Sequence, residues 1–331
     1  MSKFSVYVTQ MIPQPAIDLL RSHFDVDVSP AGLALPRADL LKEVRGRDGV
    51  LSLLNDKMDA DAFDAAGSQL KVVANFAVGF DNLDIAEATK RGIVLTNTPD
   101  VLNDATADLG WALLFAVARR VVESDKFMRG GKYIGWGPML LLGLDITGKT
   151  LGIIGAGRIG RNFAAKSKGF GMKVLYHDVA RNEAFEKETG AVFVDKSTLL
   201  AESDFVSLHT PLLPSTFHLI DEPEFKQMKS TAILINTSRG PVVNEKALVK
   251  ALKERWIWGA GLDVYENEPA FEPGLAELDN VVMLPHVASA TVETRAKMAV
   301  MAAENIIAVL SGKEPLTCVN PEVLKSGRLG S

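Results

Sequence analysis

Three charged residues stand in loops that follow short apolar runs in the second half of the chain. Arg239 lies in the stretch 236–241 after the run 232–235, Glu268 in 263–269 after 259–264, and His286 in 284–290 after 281–284. In open α/β sheets, ligands gather outside the carboxyl ends of the strands, where loops of this kind sit. The residue types are chemically complementary. A histidine can hold or release a proton near neutrality, a neighbouring carboxylate favours its charged form and orients the ring, and a guanidinium offers a planar fork of donors that matches a carboxylate. Taken singly, each also has an ordinary reading: Arg239 as an ion pair, Glu268 as a solvated loop acid with Glu266 as a rival, and His286 as a hydrogen-bonded histidine.

Upstream, residues 151–160 read Leu-Gly-Ile-Ile-Gly-Ala-Gly-Arg-Ile-Gly, an apolar run followed by Gly155, Gly157 and Gly160 and then by a helical pattern. Between a strand and a helix, this spacing provides a tight turn, close approach of backbone to a pyrophosphate, and close packing of helix on strand. The phosphates meet free N–H groups at the helix start. Residues 173–176 read as the next strand, and Asp178 stands at its end, about 18 residues past Gly160, where a carboxylate accepts hydrogen bonds from an adenosine ribose. A dinucleotide site is expected here.

The elements that must position these residues follow α/β grammar. Before the fingerprint, apolar runs at 6–8, 50–54, 72–74 and 93–95 alternate with helical patterns such as 15–23 and 84–91. After it, strands are expected at 205–208, 232–235, 259–264 and 281–284, with a helix at 244–254. The pattern predicts two parallel sheets in tandem, Rossmann-like or flavodoxin-like, with a ligand cleft between the two domains. One long helix is expected over 106–128 and another over 291–310, with a polar, frayed tail beyond Val319. The 331 residues have room for about two domains, and 47% hydrophobic with 23% charged residues is ordinary globular usage. With 36 Lys and Arg against 41 Asp and Glu, the net charge of −5 gives no basic excess for nucleic acid. The single cysteine, Cys318, makes no internal disulfide, and no Cys/His cluster offers a metal site. No apolar run approaches the ~18 residues that span a bilayer, and the alternating start lacks a signal-peptide core, so a cytoplasmic setting is expected.

Eight segments occur in one order over most of the chain: 77–82 (Ala-Val-Gly-Phe-Asp-Asn), 97–99, 106–108, the fingerprint, 209–211 (His-Thr-Pro), 236–240, 263–269 and 285–291. In these segments the chain resembles the D-isomer-specific 2-hydroxyacid dehydrogenases, in particular their glyoxylate/hydroxypyruvate reductase branch. The resemblance implies that Arg239, Glu268 and His286 form the catalytic set for NAD(P)H-dependent reduction of a small 2-oxo acid, the proton coming from His286. It implies cofactor contacts from Thr106, Gly155, Gly157, Arg158, Ile159, Gly160 and Asp178. Further contacts are implied for Thr210, Pro211, Thr216, Thr237, Ser238, Arg239, Asp263, His286 and Ala288. Substrate contacts are implied for Leu53, the backbone amides of Val78 and Gly79, Phe80, Arg239 and His286. It also implies a discontinuous outer domain of residues 1–100 with 288–331, and an NAD-binding domain of residues 101–287. A dimerisation arm at about 120–147 would make the protein a homodimer and carry Trp136 toward the partner's active site. Trp136 reads equally well as a packing anchor within its own chain. The remaining histidines, His23, His177, His209 and His218, match no catalytic position and are expected at surfaces or turns.

Cofactor choice turns on 178–181, Asp-Val-Ala-Arg. Asp178 repels a 2′-phosphate and favours NAD, whereas Arg181 would welcome one, so NADP stays open. Among rivals, a phosphite dehydrogenase pattern has lysine where this chain has Val78 and tyrosine where it has Leu141. A phosphoglycerate dehydrogenase remains compatible in its short form, although Phe80 leans away from it. A dinucleotide-sensing corepressor shares the fold and catalytic set, but this chain shows no long disordered regulatory tail.

Overall fold

The structure, a computed structural model, describes residues 4–30, 32 and 34–326. The chain divides into two compact units, Met1–Leu102 with Ala290–Ser331, and Asn103–Ser289.

Short, mostly apolar runs build the inner strands of the first unit's sheet because a parallel strand is covered on both faces by helices, whereas the edge strand Asp25–Val28 alternates aspartate and valine. The strands are β1 (Ser5–Val8), β2 (Asp25–Val28), β3 (Gly49–Ser52), β4 (Val72–Asn75) and β5 (Val94–Thr96), all parallel, in the order β2-β1-β3-β4-β5. This is the flavodoxin-like arrangement. The capping residues are local: the Asp84 side chain accepts from the Glu87 N–H at the start of the helix Ile85–Arg91, and Gly92 ends it in the left-handed region. The long helix Val292–Leu310, capped by Thr291, buries Met298, Ala299, Ala302, Ala303 and Ile306.

The tail beyond Val319 is not frayed as far as it is described. Asn320 is fully buried, and its side chain accepts from the Leu95 N–H at 2.8 Å and donates to the Ile93 carbonyl at 2.9 Å. A short 3-10 turn, Pro321–Ser326, follows; residues 327–331 lie outside the described part. Buried backbone groups at the outer edge of β5 need partners: Asn320 serves the Leu95 N–H and the preceding Ile93 carbonyl, and the Val319 N–H serves the Leu95 carbonyl.

In the second unit the strands are β6 (Thr150–Ile154), β7 (Lys173–His177), β8 (Val192–Phe193), β9 (Phe205–Leu208), β10 (Ile233–Asn236), β11 (Gly259–Leu262) and β12 (Val281–Met283). Their order is β12-β11-β10-β9-β6-β7-β8, again parallel. Counting from β6, this is the Rossmann order with one strand added, and the switch point lies between β6 and β9. Trp111 of the helix Asn103–Ala118 stacks on Phe163 at 4.9 Å and donates its indole N–H to the Phe163 carbonyl at 3.0 Å. Full burial of Phe163 stabilises the unit by roughly 1.5–3 kcal/mol.

The single helix expected over 106–128 is two. Asn103–Ala118 and Val121–Arg129 are separated at Arg120, which adopts φ 52 and ψ 39. Its guanidinium pairs with Glu123 at 2.6 Å and reaches the Leu142 carbonyl at 3.3 Å, so side-chain bonds hold a left-handed residue that the apolar pattern does not mark. The strands β2 and β8 were not expected. β2 carries two aspartates in four residues, and β8 is only two residues long, too short for a periodic signal.

Candidate active site

The three loops singled out in the sequence all belong to the second unit and leave the carboxyl ends of neighbouring strands, β10, β11 and β12. The Asn236 side chain ties off the first loop: its amide donates to the Arg239 carbonyl at 3.0 Å, and its oxygen accepts from the Ser238 N–H and hydroxyl. Arg239 Nη1 donates to the Ser238 carbonyl at 2.9 Å. Gly240 then lies flat against the next loop. A Cβ there would sit 1.8 Å from the Tyr265 carbonyl carbon and oxygen, so only glycine allows the approach that brings Arg239 beside the Tyr265–Glu268 segment.

His286 Nδ1 donates to Glu268 Oε2 at 2.9 Å, and Glu268 Oε1 accepts the Tyr265 N–H at 3.0 Å. Burial works to raise the Glu268 carboxyl, but the His286 hydrogen bond and charge, the Tyr265 amide and the Arg239 charge outweigh it and hold the group below its ordinary value. Glu268 is therefore an ionised acceptor, which puts a proton on Nδ1 and leaves Nε2 as the ring nitrogen not engaged by Glu268. The rivalry between the two glutamates resolves in the same loop. Glu266 Oε1 lies 2.8 Å from Nε2 of His218, a separate pair.

Asp263 is wholly buried and accepts the Val287 and Ala288 N–H groups, each at 2.8 Å, while its own carbonyl accepts the His286 N–H at 2.9 Å. Burial pushes its carboxyl up, partly offset by the two amides. These bonds hold His286 at φ 55, a backbone state that a non-glycine residue adopts only where the surroundings fix it. Tyr265 closes the frame with its hydroxyl on the Leu284 carbonyl at 2.8 Å; burial pushes that phenol up to about 12.

At the switch point, Gly155 has φ 97, and a Cβ on it would lie 2.8 Å from the His209 carbonyl. A Cβ on Gly160 would lie 2.2 Å from the Gly155 carbonyl oxygen. The first and third glycines are thus required by turn and packing. Around Gly157, the N-cap of the helix Arg158–Lys166, a Cβ would meet nothing within 4 Å. Asp178 Oδ2 accepts the Ala156 N–H at 2.7 Å and Oδ1 the Val179 N–H at 2.6 Å, fixing the carboxylate beside the glycine turn. Arg158 is exposed, Ile159 half-buried, and Ala288 buried.

In the first unit, the Val78 carbonyl accepts from the Asn97 side chain at 2.8 Å and the Gly79 carbonyl from Asn75 at 2.9 Å. Fixing those carbonyls fixes the next amides of the same planar peptide groups, those of Gly79 and Phe80, in the opposite direction. Asn82 donates to the carbonyls of Leu53 at 3.1 Å and Asp56 at 3.0 Å and exchanges amide bonds with Asn75. Leu53, Val78, Gly79 and Phe80 therefore sit on two loops joined by one asparagine.

The profile of the D-isomer specific 2-hydroxyacid dehydrogenase NAD binding domain matches residues 111–288. A glyoxylate reductase from Korarchaeum cryptofilum is 52% identical over 322 residues, 97% of each chain. Another, from Thermococcus litoralis, is 51% identical over 328 residues, 98% of this chain and 99% of that one. The chain belongs to the D-2-hydroxyacid dehydrogenase family. Among solved structures, the NADPH-dependent glyoxylate/hydroxypyruvate reductase of Sinorhizobium meliloti, in complex with NADP and malonate, matches this dehydrogenase with a TM-score of 0.86 at 33% identity, over 97% of this chain and 98% of that one.

The dehydrogenase's own residues fit a dinucleotide. Thr210 and Thr237 carry buried hydroxyls that find no hydrogen-bond partner among the described residues, and such groups ordinarily have one. Both follow strands on one side of the switch point, β9 and its neighbour β10, with Pro211 and Ser238 next to them. Thr216 is engaged locally, its hydroxyl donating to the Pro211 carbonyl at 2.7 Å and accepting from the Leu213 N–H. Thr106 is buried on the helix Asn103–Ala118.

Two of the unassigned histidines are more than surface or turn residues. The His209 ring packs 5.2 Å from Phe163 beneath the glycine turn, and burial pushes its imidazole down to about 3, so it is a neutral wedge. The His218–Glu266 pair extends to Glu245, whose N–H donates to Glu266 and whose carboxylate accepts the Glu266 and Glu272 N–H groups. Nothing in the sequence signals either role except contact. Trp136 is 83% exposed, with Ile134 at 100% and Met139 at 77% nearby in sequence, so it does not anchor packing within its own chain.

Proposed function

We propose that this dehydrogenase reduces glyoxylate, hydroxypyruvate and similarly small 2-oxo acids to their 2-hydroxy acids, of D configuration where the product is chiral, and that NADH is its reductant. The observation that carries this reading is the 2.9 Å bond from His286 Nδ1 to an ionised Glu268, with Arg239 close enough to lower that carboxylate further. A bound nicotinamide dinucleotide supplies the hydride. Glu268 holds the imidazole ring and its charge, and His286 delivers the Nε2 proton to the carbonyl oxygen as the carbonyl carbon is reduced. Arg239 takes the substrate carboxylate in its planar fork and polarises the carbonyl. In the first unit, the amides of Val78 and Gly79 serve the carboxylate, while Leu53 and Phe80 limit substrate size.

For the cofactor, the glycine turn and the helix start at Arg158 take the pyrophosphate, with Ile159 beside it. Asp178 takes the adenosine ribose, which favours NAD. Thr210 and Thr237 offer their unpaired hydroxyls; Thr106, Pro211, Thr216, Ser238 and Ala288 line the same ligand. We assign Asp263 to this site through the His286 turn that it holds. Relatives with half their residues in common carry the name glyoxylate reductase, which supports the substrate class. The exposed Trp136 segment supports a homodimer in which Trp136 of the partner subunit contributes to the substrate site. With one unpaired cysteine, Cys318, we place the protein in the cytoplasm.

A panel of small 2-oxo acids, each assayed with NADH and with NADPH, tests the proposal. The expected result is the highest kcat/KM for glyoxylate or hydroxypyruvate with NADH. Absence of turnover across the panel would refute it.

A further inference from the structure

The turn after β7 holds an arrangement that dinucleotide binding does not require. Arg181, the one residue there able to receive a 2′-phosphate, is committed to another group. Its Nε and Nη2 donate to Oε1 and Oε2 of Glu186, both at 2.8 Å, which occupies the planar fork in bidentate fashion. Glu186 comes from the next helix, Glu183–Thr189, and its Oε1 also accepts the Tyr176 hydroxyl at 2.8 Å. Tyr176 is fully buried on β7, and its oxygen in turn accepts the Asn182 N–H at 2.7 Å. Asn182 caps the helix through the Phe185 N–H at 3.1 Å and donates to the Ala156 carbonyl in the glycine turn at 3.3 Å.

An ordinary exposed ion pair swings freely and contributes little. This one is anchored differently: the Arg181 side chain is 63% exposed, but Glu186 is only 18% exposed and is fixed from beneath by a buried phenol. The two charges stabilise each other in their ionised forms, Glu186 held low by Arg181 and Arg181 raised by Glu186. On the far side of the turn, Asp178 is pinned as an acceptor by Ala156 and Val179. The ribose end of the site therefore presents two fixed carboxylates against one guanidinium whose fork is taken.

We propose that Glu186 is a cofactor-specificity residue, which excludes NADPH by occupying the bidentate face of Arg181 that a 2′-phosphate would need. The inference rests on the reading that NADH is the preferred reductant. Asp178 repels the 2′-phosphate, and Glu186 removes the cation that would otherwise offset that repulsion. Removing the Glu186 charge, with Tyr176 and Asn182 left in place, frees a preformed phosphate receptor.

The test uses the intact protein and the variants Glu186→Gln, Glu186→Ala and the double variant Glu186→Gln/Arg181→Ala. kcat/KM is measured with NADH and NADPH, and binding of 2′,5′-ADP and 5′-ADP is measured by calorimetry, which needs no turnover. In Glu186→Gln the NADPH to NADH ratio of kcat/KM should rise roughly tenfold or more, the gain expected of a freed charge-assisted contact. Binding of 2′,5′-ADP should tighten in parallel, more at low salt than at high salt. Adding Arg181→Ala should abolish both gains. The proposal is overturned if the parent prefers NADH and both Glu186 variants melt like the parent, yet the ratio stays within about twofold, the scale of a surface pair. It is also overturned if the gain survives Arg181→Ala, because charge removal alone would then explain it. A parent that already prefers NADPH would refute the NADH reading itself, a pattern distinct from either of those.

Discussion

Glu266 and Glu268 are two residues apart in one loop, and residue type does not separate them. Each meets a different histidine, and it is Glu268 that joins His286 while Glu266 joins His218. Because the Glu268 pKa is lowered in the folded protein, its stabilising contribution is present above the unfolded value and is lost as pH falls through the folded value. Protonation there also removes the anchor of His286. The expected acid limb of kcat/KM should therefore be displaced or lost in Glu268→Gln, with kcat lower by about 100-fold. An unchanged acid limb in that variant would remove Glu268 from the mechanism. Arg239 and His286 were legible because each follows its own apolar run and because the segments around them match one family in order. Asp263 owes its place to accepting the Val287 and Ala288 amides across the turn, which chain order does not reveal.

Strands, capped helices and the glycine turn were readable because parallel strands are apolar runs and caps are local chemistry. The break at Arg120 was not, because a left-handed arginine is held by side-chain bonds and leaves no mark in periodicity. The polar junction in the first unit escaped for a similar reason: Asn82, paired with Asn75, meets Leu53 and Asp56 across loops that are distant in sequence. Burial pushes the Asp56 carboxyl up, with Thr9 at 2.5 Å and the Leu53 N–H opposing that shift. Asn82→Ala removes the donors to two backbone carbonyls, a loss on the order of 1–3 kcal/mol. Thermal melting should show it as a drop in Tm, and because these loops carry Leu53 and Phe80, KM should rise more than kcat falls. Asn82→Asp, which keeps the size but cannot donate, should behave like the alanine. A full rescue by aspartate would show that the hydrogen bonds are immaterial.

At the scale of the whole molecule, the last helix belongs to the first unit although it follows the second in sequence. No helix among the described residues is long and apolar enough to cross a membrane. Exposed apolar side chains gather instead at Ile134, Trp136 and Met139, and neighbouring exposed apolar residues of this kind mark interaction sites. Light scattering should give the mass of a dimer for the parent and of a monomer for Ile134→Asp/Met139→Asp; a monomeric parent would refute the homodimer. The resemblance is spread along the chain, but the proposed chemistry rests on a few atoms of one unit, and a direct comparison tests it. NADH oxidation with hydroxypyruvate should be readily measurable for the parent, and in His286→Ala kcat should fall by roughly 100-fold to 10,000-fold with the fold intact. Turnover in His286→Ala equal to that of the parent would contradict the assignment of His286 as the proton donor.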